Sequence, residues 1–187
     1  MECIVAPGYE GGALKLLSQK KNVRIMELDL NSFSNGGYDF KKIRGGLLLQ
    51  EKDEKKLSPA DLKVVTKVKP TKAQIESLLF AWKVVKHIKS NAIVLVKERK
   101  TVGIGCGQTS RIESAATAIK KAHGQAKNAL LASDAFIPMT DTVKLASQAG
   151  IKAIIQTGGS IADPQVIKEA DRKKIAMVTT GIRHFKH

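Results

Sequence analysis

The chain has 187 residues, 43% of them hydrophobic, which is enough to bury one sizeable core, and one compact domain is the default expectation. Its formal charge of +15, from 32 Lys+Arg against 17 Asp+Glu, favours an anionic partner such as nucleic acid, a phosphorylated metabolite or a polyglutamylated cofactor. Aromatics are 4% of the chain and do not alternate with basic residues, which disfavours a stacking surface for single-stranded nucleic acid, and no apolar run has the length of a membrane span.

Met1 to Pro7 lacks the charged start and apolar core of a signal peptide, so a soluble, cytoplasmic protein is expected. Ile4 to Ala6 is predicted as a short buried strand, Glu10 to Gln19 as a helix and Val23 to Leu28 as a second strand. Asn31 to Gly37 reads as a polar loop, Gly45 to Gln50 as a buried strand and Glu51 to Lys56 as a charged surface connection.

Leu62 to Val68 is predicted as a strand ended by Pro70, after which Thr71 caps a helix running to about Lys89. Ile75, Leu78, Leu79, Trp82, Val85 and Ile88 give that helix one apolar face for the core. Ala92 to Val96 and Thr101 to Ile104 are two strands about a charged turn, and a helix starts near Ser110. The remainder alternates: strand at Ala129 to Ala132, helix at Asp141 to Ala149, strand at Ile151 to Gln156, helix at Asp163 to Lys173, strand at Ala176 to Thr179. That alternation predicts an α/β layered fold, with no repeat and no linker long enough to part independent domains.

Cys3 and Cys106 lie far apart and lack neighbours at metal-ligand spacing, so both are expected to be buried, reduced and without a metal. Gly103-Ile104-Gly105-Cys106-Gly107-Gln108 before the Ser110 helix reads either as a tight turn or as an anion-binding loop, and matches no dinucleotide or P-loop pattern. Arg111, a cation in the first turn of that helix, either points to solvent or meets an anionic ligand. Gly158-Gly159-Ser160 precedes another helix, which Ser160 or Asp163 could cap. Arg183 and His187 put a carboxylate or phosphate clamp and an imidazole in one short segment, which must be docked if His187 is to matter.

Several segments carry a resemblance over essentially the whole chain: Ile4-Val5-Ala6-Pro7-Gly8-Tyr9-Glu10, Lys20-Lys21-Asn22, Arg44-Gly45-Gly46-Leu47-Leu48, Val64-Val65-Thr66-Lys67, Lys89-Ser90-Asn91-Ala92, Gly103-Ile104-Gly105, Ser133-Asp134-Ala135-Phe136 and Arg183-His184-Phe185. In this order they resemble the aminoimidazolecarboxamide ribonucleotide (AICAR) transformylases, the formyltransferase part of a bifunctional purine enzyme that also carries inosine-monophosphate cyclohydrolase. The resemblance implies a cytidine-deaminase-like layered α/β/α fold with a mixed sheet, this chain being the C-terminal half (residues 1–187) of a duplicated transformylase domain. It implies formyl transfer from 10-formyltetrahydrofolate to the 5-amino group of AICAR, no metal, and either a homodimer or a complex with a companion N-terminal half. Met1 falls where the family chain passes between its halves.

Residue by residue, the family pattern makes Asn91 the side-chain amide beside the formyl group, an N–H donor to the developing oxyanion, against the alternative of a helix C-cap. Arg111 and Asp141 resemble residues of the reduced-folate site, although Asp141 could equally cap its helix, and Ser160 and Ile161 resemble a further folate-contact pair. Phe136 resembles the aromatic bordering the nucleotide, with core packing as the competing role, and Arg183 resembles the residue that engages AICAR. His187 matches a terminal histidine near the nucleotide amine.

The sequence also departs from the family. Ile137-Pro138-Met139 stands where two further aromatics are common, which bears on folate affinity. The family's paired lysine and histidine are missing, and His87, which follows Lys86 inside the predicted helix, does not match them. The rival readings are a nucleotide- or folate-binding module without catalysis and, less favoured, a basic nucleic-acid-binding protein.

Overall fold

The computed structural model describes residues 2–29 and 37–186, and the chain divides into two compact units, Met1–Glu54 and Lys55–His187. Residues 31–36 of the expected polar loop and His187 lie outside the described residues.

In the first unit, β1 (Cys3–Ala6), α1 (Gly11–Ser18) and β2 (Arg24–Glu27) form a β–α–β unit whose strands pair in parallel. The Tyr9 hydroxyl closes it by donating to the carbonyls of Met26 (2.8 Å) and Ile4 (3.1 Å). A separate hairpin follows, β3 (Tyr38–Ile43) against β4 (Gly46–Glu51), turning at Arg44 and Gly45, where φ is +82°. The apolar run of β4 is exposed, contrary to the buried strand expected, because among the described residues its sheet partner is β3 alone.

The second unit is a three-layer α/β/α sandwich. Its strands are β5 (Lys63–Val64), β6 (Ile93–Lys97), β7 (Lys100–Gly105), β8 (Leu130–Ser133), β9 (Ala153–Gln156) and β10 (Ala176–Thr179). They form one mixed sheet in the order β5-β10-β9-β8-β6-β7, with β8, β9 and β10 parallel and β5 and β6 antiparallel to their neighbours. Because strand side chains alternate between faces, Val94, Val96, Ala132, Ile155 and Val178 pack on α2 (Lys72–Val85) through Leu78, Ala81, Trp82 and Val85. On the opposite face Ile93, Leu95, Leu131, Ile154 and Met177 meet α3 (Arg111–Lys121), α4 (Thr140–Gln148) and α5 (Asp163–Arg172).

Thr71 caps α2 as predicted, its hydroxyl accepting from Gln74 N while Gln74 Oε1 accepts from Thr71 N. The helix ends at Val85, short of Lys89, because the following backbone bonds elsewhere: Lys89 O accepts from Gly107 N and Ser90 N donates to Lys186 O. His87 therefore lies beyond the helix, and Asn91 leads into β6 instead of capping α2. The Ser90–Asn91 peptide is cis. β5 is likewise shorter than Leu62 to Val68, since side chains take over its ladder: Met177 N donates to Thr66 Oγ1 (2.7 Å) and Lys67 N to Asp171 Oδ1 (2.7 Å).

The glycines of Gly103-Ile104-Gly105 serve packing. A Cβ on Gly105 would stand 1.8 Å from the Ser114 carbonyl oxygen and one on Gly103 2.2 Å from that of Ala118, so their absence lets α3 lie directly on β7. Cys3 and Cys106 are both exposed rather than buried, one on β1 and the other in the turn after β7. Among the described residues no helix is long and apolar enough to cross a membrane.

Candidate functional site

The mixed topology gathers the candidate residues of the second unit at one end of the sheet. β8, β9 and β10 are parallel, so the loops after Ser133, Gln156 and Thr179 emerge together at their carboxyl ends. β6 runs the other way and pairs Ile93 with Ser133, so the residues before it, Ser90 and Asn91, arrive at that same end. β7 pairs Gly105 with Ile93 and brings the N-terminus of α3 there as well.

A cavity of about 310 Å³ opens at this end, lined by Asn91, Thr109, Ser110, Arg111, Pro138, Met139, Asp141 and Thr142, among others. Three expected site residues, Asn91, Arg111 and Asp141, thus converge from separate parts of the chain. Phe136 is half-buried in the loop leading to Pro138, and Ser160, Ile161 and Arg183 sit on the two neighbouring loops; none of these four belongs to the lining.

Asn91 is held on nearly every polar atom. Its Nδ2 donates to the carbonyls of Gln108 (3.1 Å) and Thr109 (3.2 Å), and its own carbonyl accepts from the buried Ser114 hydroxyl at 2.8 Å. Turning the amide over would set Oδ1 against two carbonyl oxygens, so its orientation is fixed. The atom left for a ligand is Oδ1, an acceptor, whereas the family pattern offered the amide as a donor.

Arg111 does not turn to solvent; it lines the cavity while pairing with the core. Nε donates to Ser133 Oγ (2.8 Å) and Nη2 pairs with Asp134 Oδ1 (2.7 Å); Asp134 is fully buried and Arg111 nearly so. A carboxylate at the end of a core strand requires a charged partner, and this pairing supplies one. Asp141, in the first turn of α4, accepts from Thr142 N through Oδ1 (2.6 Å), a location that suits the helix dipole, and Oδ2 has no partner among the described residues.

Ser160 and Asp163 brace their loop and do not cap α5: Ser160 Oγ accepts from Ala162 N (3.1 Å), and Asp163 Oδ2 from Gly159 N (2.7 Å). Ile161 is wholly exposed. Arg183 is exposed, its guanidinium carbon 5.9 Å from the centre of the Phe185 ring.

Residues 184–186 are docked, while His187, for which docking was required, lies outside the described residues. The buried His184 ring lies 4.5 Å from that of Trp82, His184 N donates to Asp134 O, and Lys186 bonds Ser90 through both its N and its O. Sequence reasoning quoted Ser90, Asp134 and His184 only within the resembling segments and Gln156 only as a strand end, gave none of them a supporting role, and missed Ser114. Gln156 is buried and its Oε1 accepts from Ile137 N (2.9 Å), tying the loop after β8 to the end of β9. A buried glutamine at a strand end is the one signal that could have found it.

On the exposed side of α3, the Thr109 hydroxyl donates to Glu113 Oε2 at 2.9 Å and, with Ser110, holds that carboxyl below its usual range. Among the described residues no group of three or more His, Cys, Asp or Glu is placed to hold a metal ion.

A profile described as the AICARFT/IMPCHase bienzyme matches residues 1–121. The chain is 51% identical over its whole length to the bifunctional purine biosynthesis protein PurH of Oceanobacillus iheyensis, covering 37% of that protein, and 53% identical to its namesake from a Thermoanaerobacter species, covering 36%. It therefore spans a little over a third of the length of these relatives. Among solved structures, RibD of Acinetobacter baumannii superposes with a TM-score of 0.41 at 12% identity over 54% of this chain and 32% of that one, a likeness too slight to argue from.

Proposed function

The chain belongs to the AICARFT/IMPCHase bienzyme family, and from that premise we propose that residues 1–187 act in purine biosynthesis as one half of a transformylase domain. The half supplies the folate side, and part of the AICAR side, of a formyl transfer from 10-formyltetrahydrofolate. The observation that carries this reading is the convergence of Asn91, Arg111 and Asp141 on one cavity at the carboxyl end of the sheet.

The residues suit such ligands. The cavity is at the small end of the range for ligand pockets, so it takes one ring system and not a whole folate. The second carboxylate oxygen of Asp141 can accept from the N–H groups of a pterin, and the exposed Met139 offers a soft apolar contact where family relatives carry an aromatic. The bound folate supplies the formyl group.

AICAR's amine is a weak nucleophile, because its lone pair is delocalised into a ring bearing a carboxamide, so positioning and proton removal must carry much of the rate. Asn91 Oδ1 accepts one amine N–H and fixes the direction of the nitrogen lone pair. Arg183, free of any carboxylate partner among the described residues, meets the anionic nucleotide, and Phe136 borders it. His187 assists proton movement. The general-base function belongs to the family's lysine and histidine pair, which this sequence lacks, so a companion half must bring it.

The deciding experiment measures tetrahydrofolate release from 10-formyltetrahydrofolate and AICAR, together with AICAR binding by calorimetry, for the purified chain. We expect AICAR binding that weakens on Arg183→Ala, and no turnover by the chain alone. Absence of AICAR and folate binding would overturn the reading. Turnover by the chain alone, abolished in Asn91→Ala, would overturn the need for a companion.

A further inference from the structure

We infer that Asp134 and Ser90 are positioning residues that latch segment 184–186 onto the Asn91 wall of the cavity, and that Arg111 serves this latch. Its relevance to AICAR rests on the transformylase reading above; its existence as a latch does not.

The hydrogen bonds run in one direction. Lys186 N donates to Ser90 Oγ (3.1 Å), and the single Ser90 hydroxyl proton goes to Asp134 Oδ2 (2.5 Å). Asp134 Oδ1 takes Arg111 Nη2, and the Asp134 carbonyl takes His184 N (2.9 Å). Ser90 N returns a bond to Lys186 O at 2.8 Å, so the hydroxyl and the backbone of one residue grip both sides of Lys186. The two links to the Asp134 carboxylate, from Ser90 Oγ and Arg111 Nη2, are charge-assisted, and the first polarises the bond from Lys186 N to Ser90 Oγ.

A buried ion pair is weak evidence of stabilisation, since its desolvation cost rivals its attraction. This pair does something packing alone does not: it joins the residue before Asn91, the N-terminus of α3, the end of β8 and the segment that carries Arg183. Asp134 and Ser90 are also absent from the cavity lining, so they act on it only through Asn91 and Arg111, while the same bonds hold the 183–186 segment beside it. Arg111 spends Nε and Nη2 on Ser133 and Asp134, so it supports Asp134 while it lines the cavity.

The test compares Ser90→Ala with Ser90→Thr, which keeps the hydroxyl, because Asp134→Asn leaves Arg111 buried without its charge partner and endangers the fold. Amide hydrogen exchange read by NMR should accelerate about tenfold at Lys186 in Ser90→Ala, the loss of roughly one hydrogen bond, and return to the parental rate in Ser90→Thr. Core amides such as those of Leu131 and Ile154 should not change, and AICAR affinity should fall about as much as the Lys186 protection. Unchanged exchange at Lys186 in Ser90→Ala overturns the latch; faster exchange with undiminished AICAR affinity overturns the positioning role. If the parental chain binds no AICAR, the transformylase reading fails, while the exchange data still decide the latch.

Discussion

Residues 1–54 and 55–187 are made from similar short strands and helices, yet only the second unit buries its apolar residues. None of the described residues of the first unit is buried; Phe40, Leu47, Leu48 and Leu49 of its hairpin are all more than half exposed. Leu131, Ile154 and Met177 in the second unit are completely covered. Charge divides in the same way: residues 1–54 hold 8 Lys+Arg and 8 Asp+Glu, leaving 24 against 9 for residues 55–187, so the whole excess of +15 lies in the second unit. An apolar strand is thus a demand for a layer and does not supply one. The six-stranded sheet has helices on both faces, whereas a lone two-stranded hairpin has little independent stability.

The sharpest way to break this contrast is at the tightest contact of the covered unit. Gly105→Ala forces a methyl into the Ser114 carbonyl and should cost about 3 kcal/mol or more, read as a lower denaturant midpoint with near-UV signal lost from Trp82. Next is a matched pair: Leu131→Ala should cost about 3 kcal/mol, and Leu48→Ala in the hairpin less than about 0.5 kcal/mol. Equal losses in the two variants would show that the hairpin is covered in solution. Thr71→Ala removes the α2 cap and should cost about 1 kcal/mol by the same denaturation measurement.

The smallest effect concerns Glu113. Because its carboxyl is lowered in the folded chain, its contribution to stability is present above the unfolded pKa and is lost as pH falls through the folded value. Thr109→Val removes the hydroxyl chiefly responsible and should move the NMR-detected Glu113 titration up toward the ordinary glutamate range.

How much of this the sequence disclosed depended on the range over which each signal acts. The Thr71 cap, the Ser110 helix start, and the β8, β9 and β10 strands were legible because capping and apolar periodicity are local. β3 escaped notice because Asp39, Lys41 and Lys42 interrupt its apolar residues, and β4 was read as buried because periodicity cannot report the absence of a layer. At the site, Asn91, Arg111 and Asp141 were legible through family resemblance, but the Arg111–Asp134 pair joins positions whose proximity depends on strand order. The glycines of β7 were open to reading as an anion loop for the same reason: the Ser114 carbonyl that excludes a side chain at Gly105 lies across the fold.

The contact between Ser90 and Lys186 spans 96 positions of sequence, which sets an order of events during synthesis. α2 and strands β6 to β8 are translated well before the 184–186 segment, but β10 ends at Thr179, immediately ahead of it. The cavity wall that depends on Ser90 is therefore completed almost together with the last strand of the sheet, so fold and site close at nearly the same moment.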